Sequence, residues 1–463
     1  MYPTICVGAL VKCRIRLYPS SKSYCLPGTS LLSFSLIMDK NENNTVQSSF
    51  VRRDYFKITL LVFAITALWQ SLHGFILPVR ILYFVPETQK NTYLGLITFT
   101  GLILGMLVQP IAGALSDRSH FNWGRRRPFI FFGMTAVILL LFGIGEAPVY
   151  AVLFASYCLM QVASNIAQGP YQAFLPELAP PGKRGMASGV KNLLEILGGV
   201  VFAGISSVLI GHYSNGQGSY WLWINLGLLG MILALATAAT AIWIKEKTSA
   251  IRTEKKSLWA SSFGVFCVNL KQHPSFAWFL ASRLLVFAAF TTIQQFALYF
   301  FKDVVGVADP AAASFRFLIV SVIGMLMAAY PSGWLSDRIG RKPIALSAAL
   351  LGALALLLIL FLPKQVNILL FPAALLGVAL AAFSSTNWAL ATDLLHKGEE
   401  ARYLGLANMA TAGGGALARL IGPVMDFANN RVANLGYHIM LLVCTAYLIA
   451  GALLLLKVKA NPN

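Results

Sequence analysis

A carboxylate and two guanidiniums interrupt stretches that otherwise carry almost no charge: Glu195 in "SGVKNLLEILGGVVFAG", Arg283 in "FLASRLLVFAAF" and Arg419 in "GGGALARLIGPVM". An ionisable group at the centre of a membrane-crossing helix costs about 2.5–3.5 kcal/mol on insertion scales, so one that is kept marks a function or a pair. Of the three, only a buried carboxyl can exchange a proton near neutral pH. Glu195 is therefore the expected coupling group, ten residues into its apolar run and so about 15 Å deep at about 1.5 Å per residue. Two other readings stand beside it: an ion pair with Lys191 one turn away, in the weaker order for a helix pair, and direct contact with a ligand. Arg419 is expected to pair with Glu195 or to donate hydrogen bonds to a ligand. Arg283 reads as structural, and Asp426, seven residues past Arg419, as solvated near the outer surface.

A second set is polar but uncharged. Trp69, Gln70 and His73 fall in one apolar run, Gln161, Asn165 and Gln168 in another, Gln294 and Gln295 in a third, and Asn387 and Trp388 in a fourth. Amides that both donate and accept, set beside aromatic rings, suit a neutral polyhydroxylated ligand, whose hydroxyls need paired partners and whose C–H faces pack on rings. An organic anion calls for several inward cations, and only Arg419 is well placed. Each residue also has a plainer alternative, because Gln and Asn often bond between helices and Trp often sits at the membrane interface. Trp69, Gln70, Asn165 and Gln294 are the leading contacts by depth. His73 is a second protonation candidate, against the commoner role of a neutral hydrogen-bonding group.

Membrane-crossing elements must position these residues. The 463-residue chain is 57% hydrophobic and 11% charged, too apolar for one soluble core. Twelve apolar runs, at 57–82, 91–115, 128–146, 148–172, 185–210, 220–244, 276–301, 312–335, 343–363, 367–392, 402–427 and 434–457, lie near the ~20 residues that a helix needs to cross a bilayer. Hydrophobicity is continuous rather than alternating, with Gly and Pro scattered through it, which favours helices over barrel strands. The expected fold class is an all-α membrane protein with 12 transmembrane helices, multi-pass in a plasma or inner membrane.

Basic residues gather after even-numbered runs: Arg118, Arg125, Arg126, Arg127, Lys183, Arg184, Lys245, Lys247, Arg252, Lys255, Lys256, Lys271, Arg338, Arg341, Lys342 and Lys397. Loops after odd-numbered runs hold little beyond Lys90, Lys302, Lys364 and Arg431. Basic loops are retained inside, so both termini are expected in the cytoplasm. The net charge of +19 is thus spread over alternate loops, which argues against a nucleic-acid partner. Residues 1–37, basic and holding Cys6, Cys13 and Cys25, read as disordered or as an upstream-start segment ahead of Met38, with a targeting peptide as the alternative. The expected order continues with a cytoplasmic lead at 38–56, helical halves at 57–244 and 276–457, a cytoplasmic linker at 245–275 and a tail at 458–463. The six cysteines show neither metal-ligand nor disulfide spacing, and no phosphate loop is present. No cofactor or metal is expected.

Two features repeat. "GALSDRSHFNWGRRRPF" from Gly113 recurs as "GWLSDRIGRKPI" from Gly333, placing Asp117 and Asp337 220 residues apart. "PELAPPGKRGMASG" recurs more loosely as "TDLLHKGEEARYLG", with Glu177 and Asp393 216 apart. Nearly one offset in matching loops implies two six-helix halves of the same orientation. Parallel six-helix repeats with Gly-x-x-x-Asp-Arg before an arginine cluster resemble the major facilitator superfamily, over residues 55–457. The resemblance implies that the motif is a gate element. Gly113 then permits close helix approach, Asp117 accepts charge-assisted bonds, and Arg118, Arg125, Arg126, Glu177, Gly333, Asp337, Arg338, Arg341 and Asp393 complete the gating set. It also implies that helices one, four, seven and ten, which carry the polar set, surround a central cavity.

"SDRSHFNWGRRRPFI" together with "NIAQGPYQAFLPEL" is similar to the sucrose/proton symporters and their relatives near the glycoside-pentoside-hexuronide cation symporters. That resemblance implies a secondary transporter for a glycoside, such as a disaccharide like sucrose or maltose, working as a monomer in the lipid bilayer by proton symport. The chain departs from it where the plant symporters carry a helix-four aspartate and arginine, since Gln161 and Gln172 stand there and an amide cannot titrate. Alternatives are an efflux antiporter for a drug or metabolite, an uncoupled facilitator, a non-transporting nutrient receptor and an intramembrane enzyme; for the last, no nucleophile or metal cluster is found at one depth.

Overall fold

The computed structural model describes residues 51–119, 121–244, 246, 273–394 and 400–458. The leading segment, most of the 38–56 lead, the 245–275 linker except residues 246 and 273–275, and the tail beyond 458 lie outside the described residues, as do Cys6, Cys13, Cys25, Cys267 and the basic residues assigned to the linker and to position 397.

Continuous apolar runs close their backbone hydrogen bonds locally, and helices are the result. They are α1 (Arg52–Leu82), α2 (Lys90–Arg118), α3 (Arg127–Gly145), α4 (Tyr150–Gln172), α5 (Arg184–Ser214), α6 (Tyr220–Trp243), α7 (Pro274–Phe300), α8 (Pro310–Ile339), α9 (Arg341–Phe361), α10 (Val366–Asp393), α11 (Glu400–Arg419) and α12 (Leu435–Leu456). Eleven of these are long and apolar enough to cross a membrane, and side chains such as Ile242 and Phe361, 71% and 79% exposed, face outward where lipid would lie. The exception is α11, which stops at Arg419 and resumes as the short helix Gly422–Asn429. Pro423 accounts for the break, because its ring clashes with the carbonyl four residues back and it has no N–H to donate.

Proline also reshapes α1. Pro78 leaves a carbonyl without its donor one turn earlier, and residues Leu72–Ile76 form a π turn in which the Leu77 N–H reaches back to Leu72. His73 sits in that turn.

The helix pairings repeat with an offset of six. In the first half α1 packs on α5 and α6, α2 on α4, and α3 on α4 and α6; in the second α7 packs on α11 and α12, α8 on α10, and α9 on α10 and α12. Between halves, α2 meets α11 and the helix after it, α5 meets α8, and the π turn of α1 meets α7. The expected all-α fold in two six-helix repeats is what the structure has.

Candidate functional site

A cavity of about 360 Å³ lies between the halves. On α1 its wall is Val62, Ile65, Thr66, Trp69, Gln70, His73 and Gly74, spaced by three and four residues and therefore one face of a helix. On α7, Thr291, Gln294 and Gln295 share a face by the same rule, and Gln168, Glu195 and Arg419 close the ring from α4, α5 and α11. Six of the ten expected ligand contacts thus line the cavity: Trp69, Gln70, His73, Gln168, Gln294 and Gln295. Gln294 Nε2 donates to Gln70 Oε1 across the halves at 3.0 Å, and Trp69 stacks on His73 with ring centres 5.3 Å apart.

The other four are not part of its lining. Gln161 and Asn165 lie behind it, where Gln161 Nε2 donates to the Tyr157 hydroxyl at 2.8 Å and Asn165 Nδ2 donates to the Gln161 carbonyl at 2.8 Å. Asn387 is fully buried and accepts a bond from Arg283, whose guanidinium also lies 4.9 Å from the Trp388 ring and donates to Thr411 at 2.8 Å. Arg283 thus holds α7 to α10 and α11.

The two charged candidates both face the cavity. Glu195 pairs with Lys191 at 2.7 Å, each side chain 33% exposed, so the alternative reading of this residue describes its contact in this state. The ion pairs among the described residues include none between Glu195 and Arg419. Arg419 is 8% exposed; its Nη1 donates to the Gly415 carbonyl at 2.5 Å and its Nε has no partner, while Nε2 of Gln295 is likewise buried and unpartnered. A buried donor left unpaired costs about 1–3 kcal/mol.

At one end of the molecule the arginine motif is folded on itself. Arg126 bridges Asp117 at 2.7 Å and Glu177 at 2.6 Å, and Arg125 reaches Glu177 at 2.9 Å. Glu246 accepts from the backbone N–H groups of Arg125 at 2.7 Å and Arg127 at 2.9 Å, which cap the start of α3. Gly113 lies against Gly169 of α4, and Arg118 ends α2. In the second half Arg341 pairs with Asp393 at 2.5 Å, Arg338 covers the Trp334 ring at 3.9 Å, and Gly333 and Asp337 sit on the last turns of α8.

The opposite end joins the halves. Lys90 of α2 meets Asp303 beyond α7 at 2.7 Å, Tyr437 donates to the same carboxylate at 2.5 Å, and Lys302 meets Glu87 at 2.6 Å. Asp426 corrects the expectation of a solvated group: it is 4% exposed and accepts from Asn91 Nδ2 at 2.8 Å and from the Thr92 N–H at 2.6 Å. It caps the N-terminus of α2 from the other half. Sequence reasoning missed this cap because its donors, the Asn91 side chain and the Thr92 N–H, lie in the other half of the chain, and missed Tyr157 because a tyrosine in an apolar run reads as core.

The sequence pattern described as MFS/sugar transport protein matches residues 62–422. Sucrose transport protein SUC4 of Arabidopsis thaliana is 31% identical over 129 residues, 24% of this chain and 25% of that one. The uncharacterized symporter YnaJ of Bacillus subtilis is 23% identical over 310 residues, 64% and 65% of the two chains. The matched stretch therefore spans about a quarter of the plant relative and under two thirds of the bacterial one. Among solved structures, the nucleoside transporter NupG superposes with a TM-score of 0.68 at 15% identity, covering 87% of this chain and 98% of its own. A D-xylose-proton symporter follows at 0.66 and 15%, covering 88% and 97%. At such identities these neighbours share the fold, and the fold is that of transporters. With the pattern running from the first helix to the break after α11, the chain belongs to the MFS/sugar transport protein family.

Proposed function

We propose that this chain carries a neutral glycoside across the membrane by alternating access of its two halves, in symport with protons, with both termini in the cytoplasm. The observation that carries the reading is the lining of the cavity: amides from both halves, a Trp69–His73 stack and a single guanidinium. Sugar hydroxyls satisfy such donors, and a sugar's C–H face packs on the rings. The solitary Arg419 supports a neutral ligand over a polyanion.

Glu195 is the proposed proton carrier. It is the one acidic residue of the lining, and protonation would release it from Lys191, whose long side chain can snorkel toward the membrane surface. One chain encloses the cavity, so a monomer suffices. The basic motif marks the cytoplasmic end under the positive-inside rule; the structure then corresponds to a state closed outside.

The test is uptake of labelled sucrose, maltose and glucose into proteoliposomes, with and without an inward proton gradient, for the native chain and Glu195→Gln. Gradient-driven accumulation that Glu195→Gln abolishes while exchange persists supports symport through this carboxyl. Mere equilibration in both indicates a facilitator, and no sugar movement at all rejects the sugar reading.

A further inference from the structure

We propose that Tyr157 is a positioning residue of the cavity: its hydroxyl, held by Gln161, fixes His73 as the neutral Nδ1–H tautomer and seats the Trp69–His73 stack. Only the consequence for sugar binding rests on the transport reading above.

Tyr157 is fully buried, with its hydroxyl 2.8 Å from His73 Nε2 and 2.8 Å from Gln161 Nε2. An amide nitrogen only donates, so the phenol oxygen accepts from Gln161; were His73 Nε2 a donor as well, the buried phenol proton would have no acceptor, so that proton is directed to His73. The orientation of the Gln161 amide decides this, and Asn165 fixes it. Asn165 Nδ2 lies 2.8 Å from the Gln161 carbonyl oxygen and 3.4 Å from Oε1; reversing the Gln161 amide would set two NH2 groups face to face. His73 Nε2 is therefore an acceptor, and the ring's proton is on Nδ1.

Tyr157 also buttresses the rings. It stands edge-on to Trp69 at 6.2 Å and to His73 at 5.9 Å, on the far side of a stack whose members both line the cavity. Tyr157, Gln161 and Asn165 recur every four residues, one polar ridge of α4, and α2 leaves room for it with glycines one turn apart. A Cβ on Gly101 would lie 2.4 Å from the Tyr157 ring, and one on Gly105 2.7 Å from Asn165 Nδ2. The π turn gives His73 its setting, and such turns recur at functional sites.

The charged and titratable groups around His73 are Tyr157 from α4 and Arg419 from α11, with Glu195 and its partner Lys191 on α5 at the same cavity. Protonating His73 would replace an acceptor by a second donor facing the phenol and set a second cation beside Arg419. His73 thus remains a neutral donor, and the proton task falls to the carboxylate.

The test is 15N NMR of the histidine-labelled full chain in nanodiscs, with His73→Gln to assign the resonance. The expected result is an Nδ1-protonated, neutral ring from pH 5 to 8 in the native chain, and a ring that titrates or changes tautomer within that window in Tyr157→Phe. In proteoliposomes Tyr157→Phe should raise KM for the transported sugar about tenfold with exchange kcat changed less than about twofold, and make KM vary with pH. Where Tyr157→Phe does not fold, Gln161→Leu removes the donor that orders the phenol and should give the same spectral change. An Nε2-protonated native ring, or identical titration in native and variant chains, overturns the proposal. If the native chain moves no sugar but shows the expected tautomer and its loss, the assignment stands and the transport reading falls.

Discussion

At the scale of the residue, a side chain's partners decide its value more than its charge. Arg126 and Arg125 are neighbours in one motif, yet the Arg126 side chain is 4% exposed between two carboxylates and that of Arg125 is 30% exposed. Arg126→Leu leaves Asp117 and Glu177 facing each other; because those carboxylates are about half exposed, solvent screening holds the expected cost to about 1–2 kcal/mol. Arg125→Leu should cost under about 1 kcal/mol. Thermal denaturation of the two purified variants checks the order, and equal losses would show that the motif is no more than a topological signal. Side chains one turn apart were legible in the sequence: Lys191 and Glu195 meet as their spacing requires. Asn387 and Trp388 were legible as polar and aromatic, but not as the ligands of Arg283, because periodicity places a residue on a face without saying which neighbour that face meets.

Elements were the most readable level, since a run of apolar residues has to form a helix in lipid and its ends show where charge resumes. The exceptions are chemical. α2 and α8 run past their expected ends to take in the motif aspartates, and α11 breaks just before Gly422-Pro423, a dipeptide that marks a break when read alone. Packing between elements was not readable, because it depends on which glycine faces a backbone. A Cβ on Gly377 of α10 would lie 1.8 Å from the Ser321 carbonyl oxygen of α8, whereas one on Gly227 of α6 meets nothing within 4 Å. Gly377→Ala should therefore force α8 and α10 apart, at about 1–3 kcal/mol or more, and Gly227→Ala should be neutral or stabilising by up to about 1 kcal/mol through helix propensity. The yield and melting temperature of the two variants measure the contrast, and a harmless Gly377→Ala would refute the close crossing. Asp426→Asn acts at the same scale. It keeps the shape of the cap on α2 but removes the charge that faces the helix N-terminus, which should favour the opened far end by about tenfold, read as the open fraction reported by spin labels at the outer ends of α2 and α8.

For the whole molecule the two ends differ in kind. At the motif end the ion pairs among the described residues include ones within a half, Arg126 to Asp117 and Glu177, Arg341 to Asp393. At the far end they bond across: Lys90 to Asp303, Lys302 to Glu87, Asp426 to the start of α2. A transporter that alternates must make the second kind of contact at one end while it breaks them at the other, so the cross-half pairs set the balance between states. Lys90 is the critical one, because it is 4% exposed and its partner also holds Tyr437. Lys90→Ala leaves Asp303, a half-buried carboxylate, without its cation, and the cheapest relief is to open that end to water. We expect the open fraction to rise about tenfold or more, the equivalent of ~1.4 kcal/mol, with net uptake reduced because the return step is slowed. Asp303→Ala should act in the same direction, and the exchanged pair Lys90→Asp with Asp303→Lys should recover part of the closed population. Electron–electron distance measurements between spin labels at the outer ends of α2 and α8 would report the fractions directly. A closed population unchanged by either single variant would mean that apolar contact between α2 and the segment after α11, and not charge, holds the end shut.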